Sequence, residues 1–207
     1  AENDISCVVD LGSNIGISAG YFLTRNNSSK VYLFEPLPKN ISRLKANLEG
    51  FENRYELKSV AVGLENGIAN FGYETTGRYG GLQSDLPKTI QVEVLMAEEV
   101  ISEILDKEGH IDILKIDVEG NESKVLKGGE NFLSQNLDMS VQIELNLNID
   151  NAIKNNNIQN SINFLGDLKY KPFSFSNNQV KFLSEDELNK IVTNNVSCEV
   201  YFRKKAI

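Results

Sequence analysis

The sequence has 207 residues, 41% hydrophobic and 24% charged, which suits one globular domain with an ordinary core. Its formal net charge is −8, with no Lys/Arg cluster beyond "RKK" at 203–205, which argues against a nucleic-acid backbone as the main partner. No run of 18 apolar residues is present, so no membrane span is expected.

Two cysteines, Cys7 and Cys198, sit in strand-like segments at opposite ends, and free thiols in a reducing, cytoplasmic compartment are expected. The chain opens at Ala1 without a charged-then-apolar leader or an initiator Met, which points to a trimmed or processed product. His110 is the only histidine, so a histidine dyad or a His-rich metal site is not expected.

In chain order, apolar runs alternate with amphipathic ones, the signature of an α/β sheet. "CVVDLG" reads as a strand, "GISAGYFLTR" as a helix, and "VYLFEP" as a second strand stopped by Pro36. "PKNISRLKANLEG" has Pro38 in a first turn, apolar Ile41, Leu44 and Leu48, and a closing Gly50, and so reads as a helix. "YELKSVAVG" reads as one further strand. From about 67 to 94 the segment is rich in Gly, Thr and aromatics and then alternates, as in an antiparallel excursion or loop. "AEEVISEILDKEG" is an amphipathic helix, "IDILKIDVEG" a central strand, "ESKVLKGG" a short helix and "DMSVQIELN" a strand. "NAIKNNNIQNSINFLGDL" is a weaker helix leading into "YKPFSFS", and "SCEVYFRKK" alternates like an edge strand. The Asn-rich patches near 151–160 and 193–195 read as solvated surface. No linker divides the chain, so 1–207 is expected to be a single domain.

"VVDLGSNIG" is the strongest local signal. A strand runs into Gly12, Ser13, Asn14 and Gly16, and a helix follows at once. Glycines permit close backbone approach to a ligand, and the helix start offers unpaired N–H groups. Glu35 ends the next strand roughly 20 residues on, where nucleotide folds place an acid on ribose hydroxyls. The glycine spacing is not G-x-G-x-x-G, and Asp10 at the strand's end would repel phosphates while suiting an ammonium group. A ribose with an amino-acid tail, as in S-adenosylmethionine, fits both acids.

"DILKIDVEGNE" raises a separate question, because Lys115, Asp117 and Glu119 interrupt a strand that should be nearly continuous Val, Ile and Leu. Ligands in open α/β sheets sit beyond the carboxyl ends of the strands. Asp117 and Glu144 end successive apolar runs and are expected on one rim, orienting a hydroxyl and taking its proton. Glu119 reads as a polar anchor at a helix start, on the substrate side. Lys115 reads equally as a partner for a carboxylate or as a snorkelling lysine. A divalent cation is the competing use of these acids and the less favoured one. "TGRYGGLQSD" reads as a lid bringing Arg78 and Tyr79 to the substrate, or as a surface loop without a role.

"VVDLGSNIG", "VYLFEPLP", "SVAVG" and "LKIDVEGNE" together resemble the FkbM family of S-adenosylmethionine-dependent methyltransferases, over roughly residues 7 to 145. The resemblance implies a class I methyltransferase (Rossmann-like) three-layer fold, with a seven-stranded, mostly parallel sheet whose last strand is antiparallel. It implies methylation, usually of a hydroxyl oxygen, on a sugar, glycan or natural product, with S-adenosylhomocysteine as by-product. Carried over, Asp10, Gly12, Asn14 and Gly16 match the first cofactor motif, and Glu35 matches the ribose acid. Pro36 and Leu37 then lie beside the adenine, flanked by Ala61 and Val62. Asp117 and Glu119 match the signature after the fourth strand. The family often places a histidine after the fifth strand's Glu; here Glu144 is followed by Leu145 and Asn146, which keeps a catalytically silent cofactor-binding protein as an alternative. A nicotinamide-dependent oxidoreductase is the weaker alternative, since the glycine spacing is wrong.

Overall fold

A computed structural model describes residues 5–82, 86–135, 138–145, 152–176, 179–193 and 198–204. The expected alternation is present. β1 (Cys7–Leu11) leads through the glycine loop to α1 (Ile17–Arg25), and β2 (Lys30–Phe34) leads through Glu35 and Pro36 to α2 (Pro38–Asn47). β3 (Tyr55–Lys58) follows a single 3-10 turn. Then come β4 (Ala61–Gly63), β5 (Gly67–Tyr73), β6 (Gly80–Leu82), β7 (Lys88–Met96) and α3 (Ala97–Glu108). β8 (Ile113–Ile116), α4 (Glu122–Gly128), α5 (Glu130–Ser134) and β9 (Ser140–Leu145) follow. The chain closes with α6 (Ala152–Asp167), β10 (Lys171–Ser176), β11 (Gln179–Phe182), α7 (Glu185–Thr193) and β12 (Cys198–Arg203).

The main sheet has eight strands in the order β11-β10-β12-β9-β8-β1-β2-β3. β3, β2, β1, β8 and β9 are parallel neighbours, while β12 runs antiparallel between β9 and β10. The expected seven strands are therefore present, and β11 adds an eighth by hairpin onto β10. One face is covered by α1 and α2 through Ala19, Leu23, Leu44 and Leu48, packed on Val8, Val31 and Leu33. The other carries the larger core, to which α3, α4, α5, α6 and α7 contribute Ile101, Leu126, Phe132, Leu165 and Leu188. This is the three-layer class I architecture.

The excursion is a second sheet of order β4-β7-β5-β6, with β5 antiparallel to both β6 and β7. Its small core of Ala61, Phe71, Val92 and Val94 packs with Leu37. Two readings of the sequence need correction. "YELKSVAVG" is two strands in two sheets: β3 pairs with β2 and β4 with β7, and the chain leaves the first sheet at Ser59 and Val60, which belong to neither strand. β12 is not an edge. Val200 and Phe202 face the core while Glu199 is exposed, and an antiparallel strand solvated on one face alternates wherever it lies. The edges are β3 and β11, and neither β11 nor α7 was expected.

Among the described residues, no helix is long and apolar enough to cross a membrane. Cys7 is a buried free thiol that burial, more than nearby Glu108 and Asp112, pushes up to about 12. The side chain of Cys198 lies outside the described residues, as do Asn146 and the side chains at 151–155 and 193–195; the surface reading of the first Asn-rich patch fails at Asn157, which is buried and bonded to Ser123 and Glu122.

Candidate functional site

The glycine loop is fixed by backbone geometry. Gly12 has φ 86°, and a Cβ there would stand 1.8 Å from the carbonyl oxygen of Asp117. Its glycine character therefore lets the end of β1 press against the end of β8. Gly16, at φ 82°, closes the loop and leaves room for Leu44 of α2 and for Leu48 just after it. In both positions the tight neighbour is the protein itself, which refines the expectation of close approach to a ligand. Ser13 is a clip: its hydroxyl donates to Asp10 O at 2.8 Å and accepts from Phe34 N–H at 3.0 Å. Asn14, at φ 49°, turns its backbone N–H to Glu35 Oε2 at 2.9 Å.

Glu35 is 4% exposed just past the end of β2. Its other oxygen accepts from Leu37 N–H at 3.0 Å and from Asn40 Nδ2 at 3.4 Å. Burial pushes this carboxyl up to about 7 despite those three donors, which favour the charged form. Asn40 escaped the sequence reading. Its signal was spacing: with Leu44 and Leu48 it forms an i, i+4, i+8 stripe, where an amide among buried leucines calls for a partner.

The charges within "DILKIDVEGNE" have a physical explanation. In the β1–β8 register Asp10 stands beside Lys115. Lys115, 4% exposed, reaches Asp10 Oδ1 at 3.3 Å and Asp117 Oδ2 at 3.0 Å. Burial opposes the charge on Lys115, but the two carboxylates outweigh it and hold the ammonium above its usual range. Burial likewise raises Asp10, with Lys115 pulling the other way. The lysine is thus a buried post between two acids and does not snorkel. One acid is enclosed at 1% exposure, and the other reaches the surface of a cleft.

That cleft, about 560 Å³ with its open mouth included, lies beyond the carboxyl ends of β1, β2 and β8, where open α/β sheets take their ligands. Gly12, Asn14, Glu35, Pro36, Ala61 and Val62 line it, as do Arg78, Asp117 and Glu119. Asn40, Phe71 and Leu82 complete much of the wall. Other expected residues act from behind. Asp10 faces Lys115, Ser13 clips two strands, Gly16 packs on α2 and Leu37 serves through its N–H. Tyr79 is not among the lining residues; its ring lies 5.1 Å from the guanidinium of Arg78.

A smaller cavity of about 280 Å³ adjoins the cleft, sharing Asp117 and Glu119 with it and adding Glu122, Glu144 and Asn157. The parallel register pairing Ile116 with Ile143 carries Asp117 and Glu144 to the same rim, as expected. Glu119 is not the helix-start acid. It stands in a turn at φ 53°, and α4 begins at Glu122. Glu122 fastens that turn, accepting from Val118 and Gly120 N–H at 3.1 Å and from Asn157 Nδ2. His110, exposed just ahead of β8, lies at the opposite end of that strand. Among the described residues, no group of three His, Cys, Asp or Glu side chains is arranged to hold a metal ion.

The chain is similar to known proteins in sequence and in fold. Residues 10–188 match the family described as "Methyltransferase FkbM domain". Hexuronic acid methyltransferase AglP of Haloferax volcanii is 28% identical over 153 residues, covering 72% of this chain and 59% of the relative. 2-O-methyltransferase NoeI of Sinorhizobium fredii is 29% identical over 148 residues, covering 62% of this chain and 59% of the relative. The chain thus spans about three fifths of the length of each. In fold, it is similar to the crystal structure of methyltransferase FkbM from Methylobacillus flagellatus, with a TM-score of 0.61 at 16% identity, covering 96% of this chain and 44% of that one. With more than four fifths of its length matched, from Asp10 in β1 to Leu188 in α7, the chain belongs to the FkbM methyltransferase family.

Proposed function

We propose that this chain is a single methyltransferase domain that binds S-adenosylmethionine in the cleft and methylates a hydroxyl oxygen on a sugar or glycan. The observation that carries the reading is Glu35: a carboxylate 4% exposed, held by three donors, on the wall of a cleft at the carboxyl ends of the strands. Keeping such a group near neutrality costs free energy unless a ligand donates to it, and a ribose brings two hydroxyl donors. The donor set fits in a second respect. Asn40 Oδ1 is buried in the same wall without a hydrogen-bond partner, so the site offers a further acceptor.

When bound, S-adenosylmethionine supplies an electrophilic methyl group. Glu35 holds the ribose end, and Pro36, Val62, Phe71 and Leu82 provide apolar walls for a flat ring. Asp10 acts at one remove by fixing Lys115, which in turn fixes Asp117. Asp117 stands where the two cavities meet and orients the acceptor hydroxyl, and Glu144 on the same rim takes its proton. Carboxylates suit a polyol, since each oxygen accepts from neighbouring hydroxyls. The names of the two relatives, a hexuronic acid methyltransferase and a 2-O-methyltransferase, support a sugar acceptor.

Incubation with labelled S-adenosylmethionine and a panel of mono- and oligosaccharides is expected to release S-adenosylhomocysteine, with turnover abolished in Glu35→Ala and reduced in Asp117→Ala. Unchanged turnover in both variants would overturn the assigned roles. Tight cofactor binding with no turnover on any acceptor would favour the silent binding protein.

A further inference from the structure

Residues 74–79 join β5 to β6 as a strap along the cleft, with Gly77 and Arg78 on its wall. The strap is a turn closed by Glu74. Its N–H donates to Tyr79 O at 3.1 Å, its carbonyl accepts from Gly77 N–H at 3.0 Å, and Oε1 accepts from Arg78 N–H at 3.1 Å and from the Thr76 hydroxyl. Four consecutive carbonyls then point outward, and each is taken by a side chain from elsewhere. Lys39 Nζ donates to Thr75 O at 2.7 Å, Arg43 Nη1 to Thr76 O at 3.0 Å, Asn40 Nδ2 to Gly77 O at 3.0 Å and Asn14 Nδ2 to Arg78 O at 3.2 Å.

Three of these donors lie on α2, at spacings that place them along one side of the helix. Gly77 makes the close seat possible: it has φ 78°, and a Cβ there would lie 2.6 Å from Asn40 Oδ1. Apart from Gly77 no residue of the strap is buried, so polar bonds, not apolar packing, fix its position. Asn14 and Asn40 line the cleft themselves, whereas Lys39 and Arg43 do not. Their hydrogen bonds run from exposed side chains to the strap.

We propose that Lys39 and Arg43 set how long the cleft retains its adenosyl ligand, as positioning residues that act through the strap. The proposal rests on the cofactor reading above. A ligand enclosed between Glu35 and the strap leaves when the strap lifts, and lifting it breaks these bonds first. Each exposed bond of this kind is worth a factor of a few to about ten in an equilibrium.

The test measures S-adenosylhomocysteine binding kinetics by surface plasmon resonance on the wild type, K39A/R43A, K39R/R43K and the control K45A. The double alanine variant should release the ligand at least about tenfold faster, with its melting temperature lowered by only about 3–6 °C, so that it stays folded in the assay. The K39R/R43K variant keeps cationic donors and should restore most of the residence time, while K45A, which touches none of the four carbonyls, should leave it unchanged. Release from K39A/R43A within twofold of wild type, alongside normal wild-type binding, would overturn this proposal alone. A wild-type protein that does not bind S-adenosylhomocysteine would overturn the cofactor reading and this proposal with it.

Discussion

The environment of Glu35 makes cofactor affinity depend on pH, and the sign follows from the structure. Burial holds the carboxyl at about 7 in the free protein, with Asn14, Leu37 and Asn40 donating to it. A ligand that donates two hydroxyl bonds favours the ionised form, so binding lowers the carboxyl's proton affinity and releases a proton. Affinity is then complete above about pH 7 and falls as the pH drops through that value. At pH 5.5 a group titrating near 7 is about 97% protonated, which predicts binding about 30-fold weaker than at pH 8, or ~2 kcal/mol at ~1.4 kcal/mol per unit. Calorimetric titration with S-adenosylhomocysteine across this range, in buffers of different ionisation enthalpy, measures both affinity and protons released. Glu35→Gln should bind weakly at pH 8 and lose the pH slope. The free protein's stability has the opposite sign: a raised carboxyl pKa means stability gained as pH falls from about 7 towards the ordinary 4.5. Glu35→Gln should therefore lose this pH dependence of stability, while its amide nitrogen leaves one of the buried donors without an acceptor. An identical pH slope in wild type and Glu35→Gln, or affinity that rises as pH falls, would refute the reasoning.

Four further substitutions test the frame behind the site. Gly12→Ala places a Cβ against the Asp117 carbonyl in a left-handed backbone and should cost more than ~3 kcal/mol, read as a fall of about 10 °C in melting temperature. Lys115→Met leaves Asp10 and Asp117 without their buried cation and should cost ~3–5 kcal/mol at pH 8 by urea denaturation. Part of that loss should return towards pH 5, because Asp10, already raised by burial, can take a proton, and Asp10→Asn in the same background should restore part of it at pH 8. Glu122→Ala unfastens the turn after β8 and should cost ~1–3 kcal/mol by the same measurement, since the Val118 and Gly120 N–H groups lose their acceptor.

What the sequence revealed was chemistry carried within one element or its immediate end. The glycine loop and Glu35 were legible because a strand, a turn and an acid are close in sequence. The common rim of Asp117 and Glu144 followed from two strands being neighbours. What stayed hidden depends on which strand lies beside which. Lys115 could be read two ways until the register set it beside Asp10. Gly12 looked like a ligand contact until β8 was found against it. Asn40 drew no attention within its helix, yet it joins Glu35 to the strap. Glu122 was passed over for Glu119 because the turn at 118–121 delays the helix by three residues. The edge reading of β12 failed because one-sided exposure, not position in the sheet, produces the alternation.

The central claim is that the cleft at the ends of β1, β2 and β8 is a cofactor site with an acid at each end. A crystal structure with S-adenosylhomocysteine tests it most directly. The account predicts ribose hydroxyls on Glu35, the adenine against Val62 and Phe71, and the sulfur facing the junction marked by Asp117. Ligand density elsewhere, or a ribose turned away from Glu35, would contradict it.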